Sequence, residues 1–282
     1  MTEKVFTQIE KAKQFLDLHH TGKLLILPNI WDVLGANLLQ DLNYPAIATA
    51  SASIAYSNGY NDGENISFAD MLITIRKIAA SVNVPVTADI ESGYAENAIE
   101  FKENIRAIIE TGIVGINIED TNKQTQTLSS IKEQCDKINL IKEVAADMNV
   151  PLFINARTDC FVHSKLFNSP QSRLKETIER GKAYKAAGAD CFYPILFSDE
   201  AEIKTIIQEV EMPVNVITIP GIPPLNVLQQ IGVARVSLGP SFLKYAIKAM
   251  KDLAIKLQNN DGLTDIISND ISSDYLKHLV SK

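Results

Sequence analysis

The strongest constraint on this chain is a repeated alternation. Eight short runs of mainly apolar or β-branched residues recur along it, at 24–28, 46–50, 85–89, 114–119, 151–155, 190–194, 214–218 and 234–238. Most are apolar at consecutive positions, the pattern of strands covered on both faces. Between them the apolar spacing shifts to that of a helix. Phe68, Met71, Leu72, Ile75, Ile78 and Ala79 share one face, and Ile99, Phe101, Ile105, Ile108 and Ile109 share another ahead of Gly112. Segments 131–148 and 174–187 repeat the pattern, the second stopping at Gly188. Strand and helix alternating about eight times predict parallel strands joined by crossover helices. In 282 residues this predicts an α/β fold of the (β/α)8 TIM barrel type, with a doubly wound open sheet as the alternative.

No Gly/Ser/Pro-rich linker divides the chain, so residues 1–282 read as a single barrel domain. A helix is expected over 241–257, interrupted by Asn259-Asn260-Asp261-Gly262, with two short helices in 263–280. A barrel needs only one helix after its eighth strand. Residues 259–282 therefore read as a C-terminal helical extension that packs on the barrel or on another subunit.

Charge and composition narrow the partners. The 27 Lys and Arg against 34 Asp and Glu give 27 − 34 = −7, with no basic cluster, which argues against nucleic acid and against an anionic membrane surface. No apolar stretch of leader length follows Met1-Thr2-Glu3-Lys4-Val5, and none approaches the roughly 20 residues of a membrane span. Three scattered cysteines, Cys135, Cys160 and Cys191, form no C-x-x-C pair and suit a reducing, cytoplasmic setting. His19, His20, His163 and His278 lack zinc-site spacing.

In a barrel, chemistry gathers at the carboxyl ends of the strands. Run 85–89 ends at Asp89 and leads into Ile90-Glu91-Ser92-Gly93-Tyr94; run 114–119 ends at Glu119, followed by Asp120; run 151–155 ends at Asn155 and continues Ala156-Arg157-Thr158-Asp159. Three neighbouring strands are thus expected to deliver Asp89, Glu91, Glu119, Asp120 and Arg157 to one rim. Clustered carboxylates repel unless protons or a cation intervene. An all-oxygen donor set favours a hard cation, Mg²⁺ first and Mn²⁺ as a substitute, and Arg157 offers a planar fork to a carboxylate or phosphoryl group.

Taken with Pro28-Asn29-Ile30-Trp31-Asp32 and with the stretch from Thr49-Ala50-Ser51-Ala52-Ser53 to Gly59-Tyr60-Asn61-Asp62, these segments resemble the isocitrate lyase/phosphoenolpyruvate mutase superfamily, in particular a carboxyvinyl-carboxyphosphonate phosphorylmutase-like member, over residues 25–240. The resemblance implies a Mg²⁺-dependent lyase or mutase acting on a small α-oxo or 2-hydroxy carboxylate. It implies Asp89 as direct metal ligand, with Glu91 and Glu119 reaching the ion through water. It implies catalytic roles for Arg157, Glu119 and Asp62, and a substrate cradle of Thr49, Ala50, Ser51, Asn155 and Arg157. It also implies a homo-oligomer, a dimer or tetramer, in which C-terminal helices meet a neighbouring subunit.

Two segments depart from the lyase pattern. The lyases carry a Cys-Gly-His on the loop after the fourth strand, whereas residues 120–130 here contain no Cys, Gly or His. After the sixth strand the lyases present a Glu where this chain has Tyr193-Pro194-Ile195. Hydrolysis of an oxo-acid or of phosphonopyruvate on the same site, and a degenerate barrel that only binds small molecules, remain as alternatives. A Schiff-base aldolase is disfavoured because none of the eight runs contains Lys. A phosphate site at Gly221 and Gly239 has little support, since prolines flank them without a Gly-rich helix start. Cys160 and Cys191 read as packing residues, His163 as a loop residue near the rim, and Lys123 as a loop lysine able to meet an anion.

Overall fold

Parallel pairing carries the eight runs around a ring. A computed structural model describes residues 6–281; the Met1–Val5 stretch read for a leader, and Lys282, lie outside them. The first run is split by Pro28, which has no N–H for a ladder, into β1 (Leu25–Leu27) and β2 (Asn29–Ile30). There follow β3 (Ile47–Thr49), β4 (Val86–Asp89), β5 (Gly115–Glu119), the short pair β6 (Thr121–Asn122) and β7 (Thr127–Leu128), and then β8 (Phe153–Thr158), β9 (Cys191–Pro194), β10 (Asn215–Ile217) and β11 (Arg235–Ser237). Hydrogen-bonded neighbours run β2-β3-β4-β5-β8-β9 and β1-β11-β10, all parallel. Chain continuity through Pro28 joins the two sets on one side. A parallel bridge between Phe192 and Val214 joins them on the other, which closes an eight-stranded barrel. The antiparallel hairpin of β6 and β7 stands outside the ring, on the loop after β5.

The helices follow as the rhythm requires: α1 (Gln8–Leu18), α2 (Val33–Asp41), α3 (Ser51–Ser57), α4 (Phe68–Ser81), α5 (Ala98–Ile109), α6 (Ile131–Asp147), α7 (Pro170–Ala186), α8 (Glu200–Val210), α9 (Leu225–Gln230), α10 (Ser241–Gln258), α11 (Leu263–Ile267) and α12 (Ser273–Val280). Their starts are written in the sequence. Ser67, Asn97, Ser130 and Ser169 cap α4, α5, α6 and α7 through their side chains, and Pro170 takes the first turn of α7. Buried faces match the expected periodicity, with one exception: Ile99 is exposed, while Phe101, Ile105, Ile108 and Ile109 face the barrel. The strand expected at 151–155 instead runs to Thr158, so Arg157 lies inside it. No helix among the described residues is long and apolar enough to cross a membrane.

Helix α1 was not anticipated, although Thr7 and Glu10 form a reciprocal capping box before it. It closes the amino end of the barrel. Phe15 is fully buried and meets Phe153 edge-on at 5.0 Å; Gly115 makes room, since a Cβ there would lie 3.0 Å from the Phe15 ring. Above this apolar floor the barrel interior is polar, contrary to the reading of the runs as apolar on both faces. Asn155 donates to Asn117 Oδ1 (2.7 Å), Asn215 donates to Ser237 Oγ (3.1 Å), and the fully buried Arg235 reaches Ser237 and Asn117 from the opposite wall. These contacts satisfy only part of the layer: Asn155 Oδ1 and Arg235 Nη1 are buried without a hydrogen-bond partner among the described residues.

His19 sits in the floor, stacked on Phe153 at 4.2 Å with Nδ1 bonded to the Phe15 carbonyl. Burial, and next the Arg235 charge, push its pKa down to about 3. The unfolded chain protonates this imidazole near pH 6.5 and the folded chain does not, so its contribution to stability is lost as pH falls below about 6.5. Carboxyl groups raised by burial act in the opposite sense, but they are common to a His19→Gln variant. Urea unfolding of the two proteins between pH 7 and pH 5 is expected to show wild type losing about 2 kcal/mol relative to the variant.

Candidate active site

At the carboxyl end of the ring the strand register sets the side chains side by side. Asp89 on β4 is opposite Asn117 on β5, and Glu119 on β5 is opposite Arg157 on β8, which is in turn opposite Tyr193 on β9. In parallel strands such partners point to the same side, so Asp89, Glu119, Arg157 and Tyr193 all face the barrel mouth.

Arg157 is paired with two carboxylates. Its Nη1 lies 2.7 Å from Glu119 Oε2, while Nε and Nη2 donate to the two oxygens of Asp159 at 2.6 and 3.1 Å. Asp159 also accepts from Thr121 Oγ1, whose hydroxyl in turn lies 3.2 Å from His163 Nε2. Lys123, from the loop between β6 and β7, places its ammonium 2.6 Å from Glu119 Oε1 and 2.9 Å from Glu91 Oε2. Burial pushes the Glu119 carboxyl up to about 7 despite the opposing Arg157 and Lys123 charges. Burial alone would lower the Lys123 pKa, but the two glutamates hold it above the ordinary lysine value.

Asp89 is differently placed. Its Oδ2 accepts from the Ser51 hydroxyl (2.8 Å) and amide (3.3 Å), its own amide donates to Thr49 Oγ1, and no hydrogen bond among the described residues reaches Oδ1. Burial raises its pKa; Arg157 opposes that, and Glu91 adds to it. Asp62 stands exposed on the loop after α3, yet the protein around it and then the Asp89 charge raise its pKa as well.

The loop after β4 is held in sparsely populated backbone. Glu91, Gly93 and Tyr94 have φ of 51°, 106° and 54°, and a Cβ on Gly93 would lie 2.3 Å from the Phe101 ring. Tyr94 donates its hydroxyl to Glu91 (3.0 Å). Glu64, from the loop before α4, accepts from the Ser92 and Tyr94 amides and the Ser92 hydroxyl. Such strain persists only where surrounding bonds fix it, and it aims Glu91 at the mouth.

Of the expected site residues, Asp89, Glu91, Glu119 and Arg157 come together, with Asp62 across the opening. One expectation, Asp120 at the rim, is corrected, and Asn155 and the 49–51 segment are already hydrogen-bonded within the protein. Asp120 does not reach the rim: it is fully buried in the wall, where Thr158, Tyr184, Arg180 and the Asp159 amide all donate to it. Successive strand residues face opposite sides, so Glu119 inward puts Asp120 outward. Asn155 lies one layer below Arg157, fully buried against Asn117. The cradle of Thr49, Ala50 and Ser51 has its amides spoken for, Ala50 N–H by the Ile30 carbonyl and Ser51 N–H by Asp89. Glu64, Asp159 and Arg180 were missed as site-forming residues, and Lys123, expected as a loop lysine able to meet an anion, meets two carboxylates of the protein instead. Cys160 is buried beside Thr158, and burial pushes its thiol up to about 11.

With this geometry in hand, comparison with known proteins decides the family. The family model described as phosphoenolpyruvate phosphomutase matches residues 15–258. The chain belongs to the PEP mutase family, within the isocitrate lyase/PEP mutase superfamily of lyases and phosphonomutases. An uncharacterized protein of Mycobacterium tuberculosis is 31% identical over 80% of this chain and 81% of its own length. A candidate phosphonomutase from Burkholderia cenocepacia superposes with a TM-score of 0.82 at 36% identity, covering 87% of this chain and 99% of that one. The 2,3-dimethylmalate lyase of Eubacterium barkeri is 25% identical over 91% of this chain and 89% of its own. A phosphonopyruvate hydrolase in complex with oxalate and Mg²⁺ shares the fold, with a TM-score of 0.82 at 21% identity over 97% of this chain and 95% of that one.

All candidate donors are oxygens, and Asp89 Oδ1 is free to bind a hard cation that keeps most of its water. No ready cage of three or more His, Cys, Asp or Glu stands among the described residues, and Lys123 bridges Glu91 and Glu119. The residues fit an ion bound directly by Asp89 alone.

Behind the site, Arg180 Nη1 donates to Asp120, to the Ser129 carbonyl and to Tyr184, and thereby ties both ends of the 120–130 loop to α7. Removing one partner of a buried ion pair leaves the other charge uncompensated. Arg180→Met is expected to lower unfolding free energy by about 3 kcal/mol or more, read by urea denaturation.

Proposed function

We propose that this protein is a Mg²⁺-dependent carbon–carbon lyase or phosphonomutase-like enzyme. Its substrate is a small α-oxo or 2-hydroxy carboxylate, cleaved or rearranged through an enolate-like intermediate. The observation that carries this reading is the register of Asp89, Glu119 and Arg157 on adjacent strand ends, with Asp89 keeping one oxygen unbonded. Asp89 would hold the ion, with Glu91 and Glu119 around its water shell; bound there, the ion supplies Lewis-acid stabilisation of charge on the substrate oxygens. Mn²⁺ substitutes for Mg²⁺ in this role.

Arg157 binds and orients the substrate carboxylate, its planar guanidinium aimed by Asp159. Glu119, pushed up to about 7, exchanges a proton at neutral pH and suits a general acid or base. Asp62 faces the same opening, and Thr49, Ala50 and Ser51 form its floor beside Asp89, with Asn155 beneath Arg157. Tyr193, inward on β9 and adjacent to Arg157 in register, closes the remaining side. Carbon–carbon cleavage is the favoured outcome. A second reading, hydrolysis of an oxo-acid, is favoured by the absence of Cys, Gly and His from residues 120–130, since water then replaces a thiol as the proton carrier.

The protein is one barrel domain whose residues 259–282 extend it toward a homo-oligomer. Helix α12 folds back on α2, where Tyr275 and His278 meet Asp41. Helix α10 by contrast buries none of its residues, and Tyr245, Met250 and Ile267 are at least 65% exposed on α10 and α11. Exposed large apolar side chains on these two helices suit a subunit interface. Three free cysteines fit a cytoplasmic location.

Oxaloacetate, phosphonopyruvate, phosphoenolpyruvate and branched 2-hydroxy diacids, assayed with Mg²⁺ by product identification, test the reaction. Turnover of at least one is expected, abolished by chelation and by Asp89→Ala. Arg157→Met is expected to lower kcat/KM about 100-fold through loss of charge-assisted hydrogen bonds. Equal turnover in the presence of chelator would refute the metal-dependent reading. Light scattering is expected to give a mass of two or four times the 31.1 kDa chain.

A further inference from the structure

Lys123 occupies the position that a cation shared by Glu91 and Glu119 would take. Its ammonium is 2.6 and 2.9 Å from the two carboxylates, both nearly inaccessible to solvent, and it comes from the turn of the β6–β7 hairpin over the barrel mouth. Glu119 gives its second oxygen to Arg157, so both of its oxygens are paired. Five carboxylates (Asp62, Asp89, Glu91, Glu119 and Asp159) thus share two cations, Arg157 and Lys123; Asp62 is exposed to solvent, while Asp89 sits inside the cluster with no hydrogen bond among the described residues on Oδ1. An ammonium and a divalent ion cannot both sit against the same pair of glutamates, because like charges at such separations repel strongly.

We propose that Lys123 is an internal competitor for the divalent ion: ion binding at Asp89 draws Glu91 and Glu119 away from the ammonium and frees the β6–β7 hairpin. This rests on the reading of Asp89 as the metal ligand. Linkage makes the effect reciprocal, so whatever weakens the Lys123 contacts must strengthen ion binding by the same factor. The hairpin is then held down without metal and loosened with it, and the lysine becomes available to an anion only once the ion has arrived.

Two measurements on the whole protein test this, with Mn²⁺ as the probe. In calorimetric titration Lys123→Met is expected to bind Mn²⁺ about tenfold or more tightly than wild type, and Lys123→Arg, which keeps the charge, no more tightly than wild type. In hydrogen exchange, Mn²⁺ is expected to speed exchange of wild-type amides 121–128 and to leave those of Lys123→Met unchanged. Equal or weaker Mn²⁺ binding by Lys123→Met would overturn the proposal, as would slower or unchanged exchange of the wild-type hairpin. The exchange experiment needs only wild type, so it decides even where the variant does not fold. Asp89→Asn separates the two levels. If it abolishes Mn²⁺ binding while Lys123→Met changes nothing, the competition fails and the metal site stands. If it binds Mn²⁺ as wild type does, the metal site itself fails.

Discussion

The structure depends on how it neutralises negative charge packed into a closed strand ring. Parallel strands of one barrel all present their carboxyl ends at one mouth, so acids at the ends of β4 and β5 and in the loops that follow are forced together. Burial makes each of them costly unless a cation or proton intervenes. The chain answers in two ways: Arg157 is pinned between Glu119 and Asp159, and Lys123 between Glu91 and Glu119. Asp89 is left with the weakest compensation, a serine hydroxyl and amide on one oxygen. That imbalance is the physical basis for expecting a cation there.

A second acid, Asp120, shows the same problem solved in the opposite way. It is fully buried, yet four donors surround it, and the result is a rigid joint rather than a reactive group. Through the Asp159 amide this joint fixes the residue that clamps Arg157, and through Arg180 it fixes both ends of the 120–130 loop. One residue apart in sequence, Glu119 and Asp120 serve chemistry and scaffold respectively because strand geometry points them to opposite faces.

Much of this was legible in the sequence, for identifiable reasons. Strand–helix alternation is a local signal, so the barrel and seven of its helices could be read from apolar spacing. Asp89, Glu119 and Arg157 could be read as a site because strand ends share a rim. The Asp120 expectation failed for want of applying the period of two that was already in view. Helix α1 carried a T-x-x-E capping signature at Thr7 and Glu10, but nothing local says that Phe15 plugs a barrel. Glu64 was beyond sequence reading, since its partners Ser92 and Tyr94 lie 28 and 30 residues away. Lys123 was read only as a loop lysine able to meet an anion; Glu119 is four residues from it, but its contact to Glu91 spans 32 and is set by how loops cross the mouth. The polar interior layer of Asn117, Asn155, Asn215 and Arg235 was not legible as a layer: its bonds join neighbouring strands far apart in sequence, and one, Arg235 to Asn117, crosses the ring.

The central claim is that a divalent ion sits on Asp89 and holds a small oxo-acid against Arg157. Crystals grown with Mn²⁺ and oxalate, measured for manganese anomalous scattering, address it most directly. The account predicts one strong anomalous peak within about 2.2 Å of an Asp89 oxygen, with oxalate between it and the Arg157 guanidinium. A barrel mouth without such a peak, with oxalate elsewhere or Lys123 still bridging Glu91 and Glu119, would contradict it.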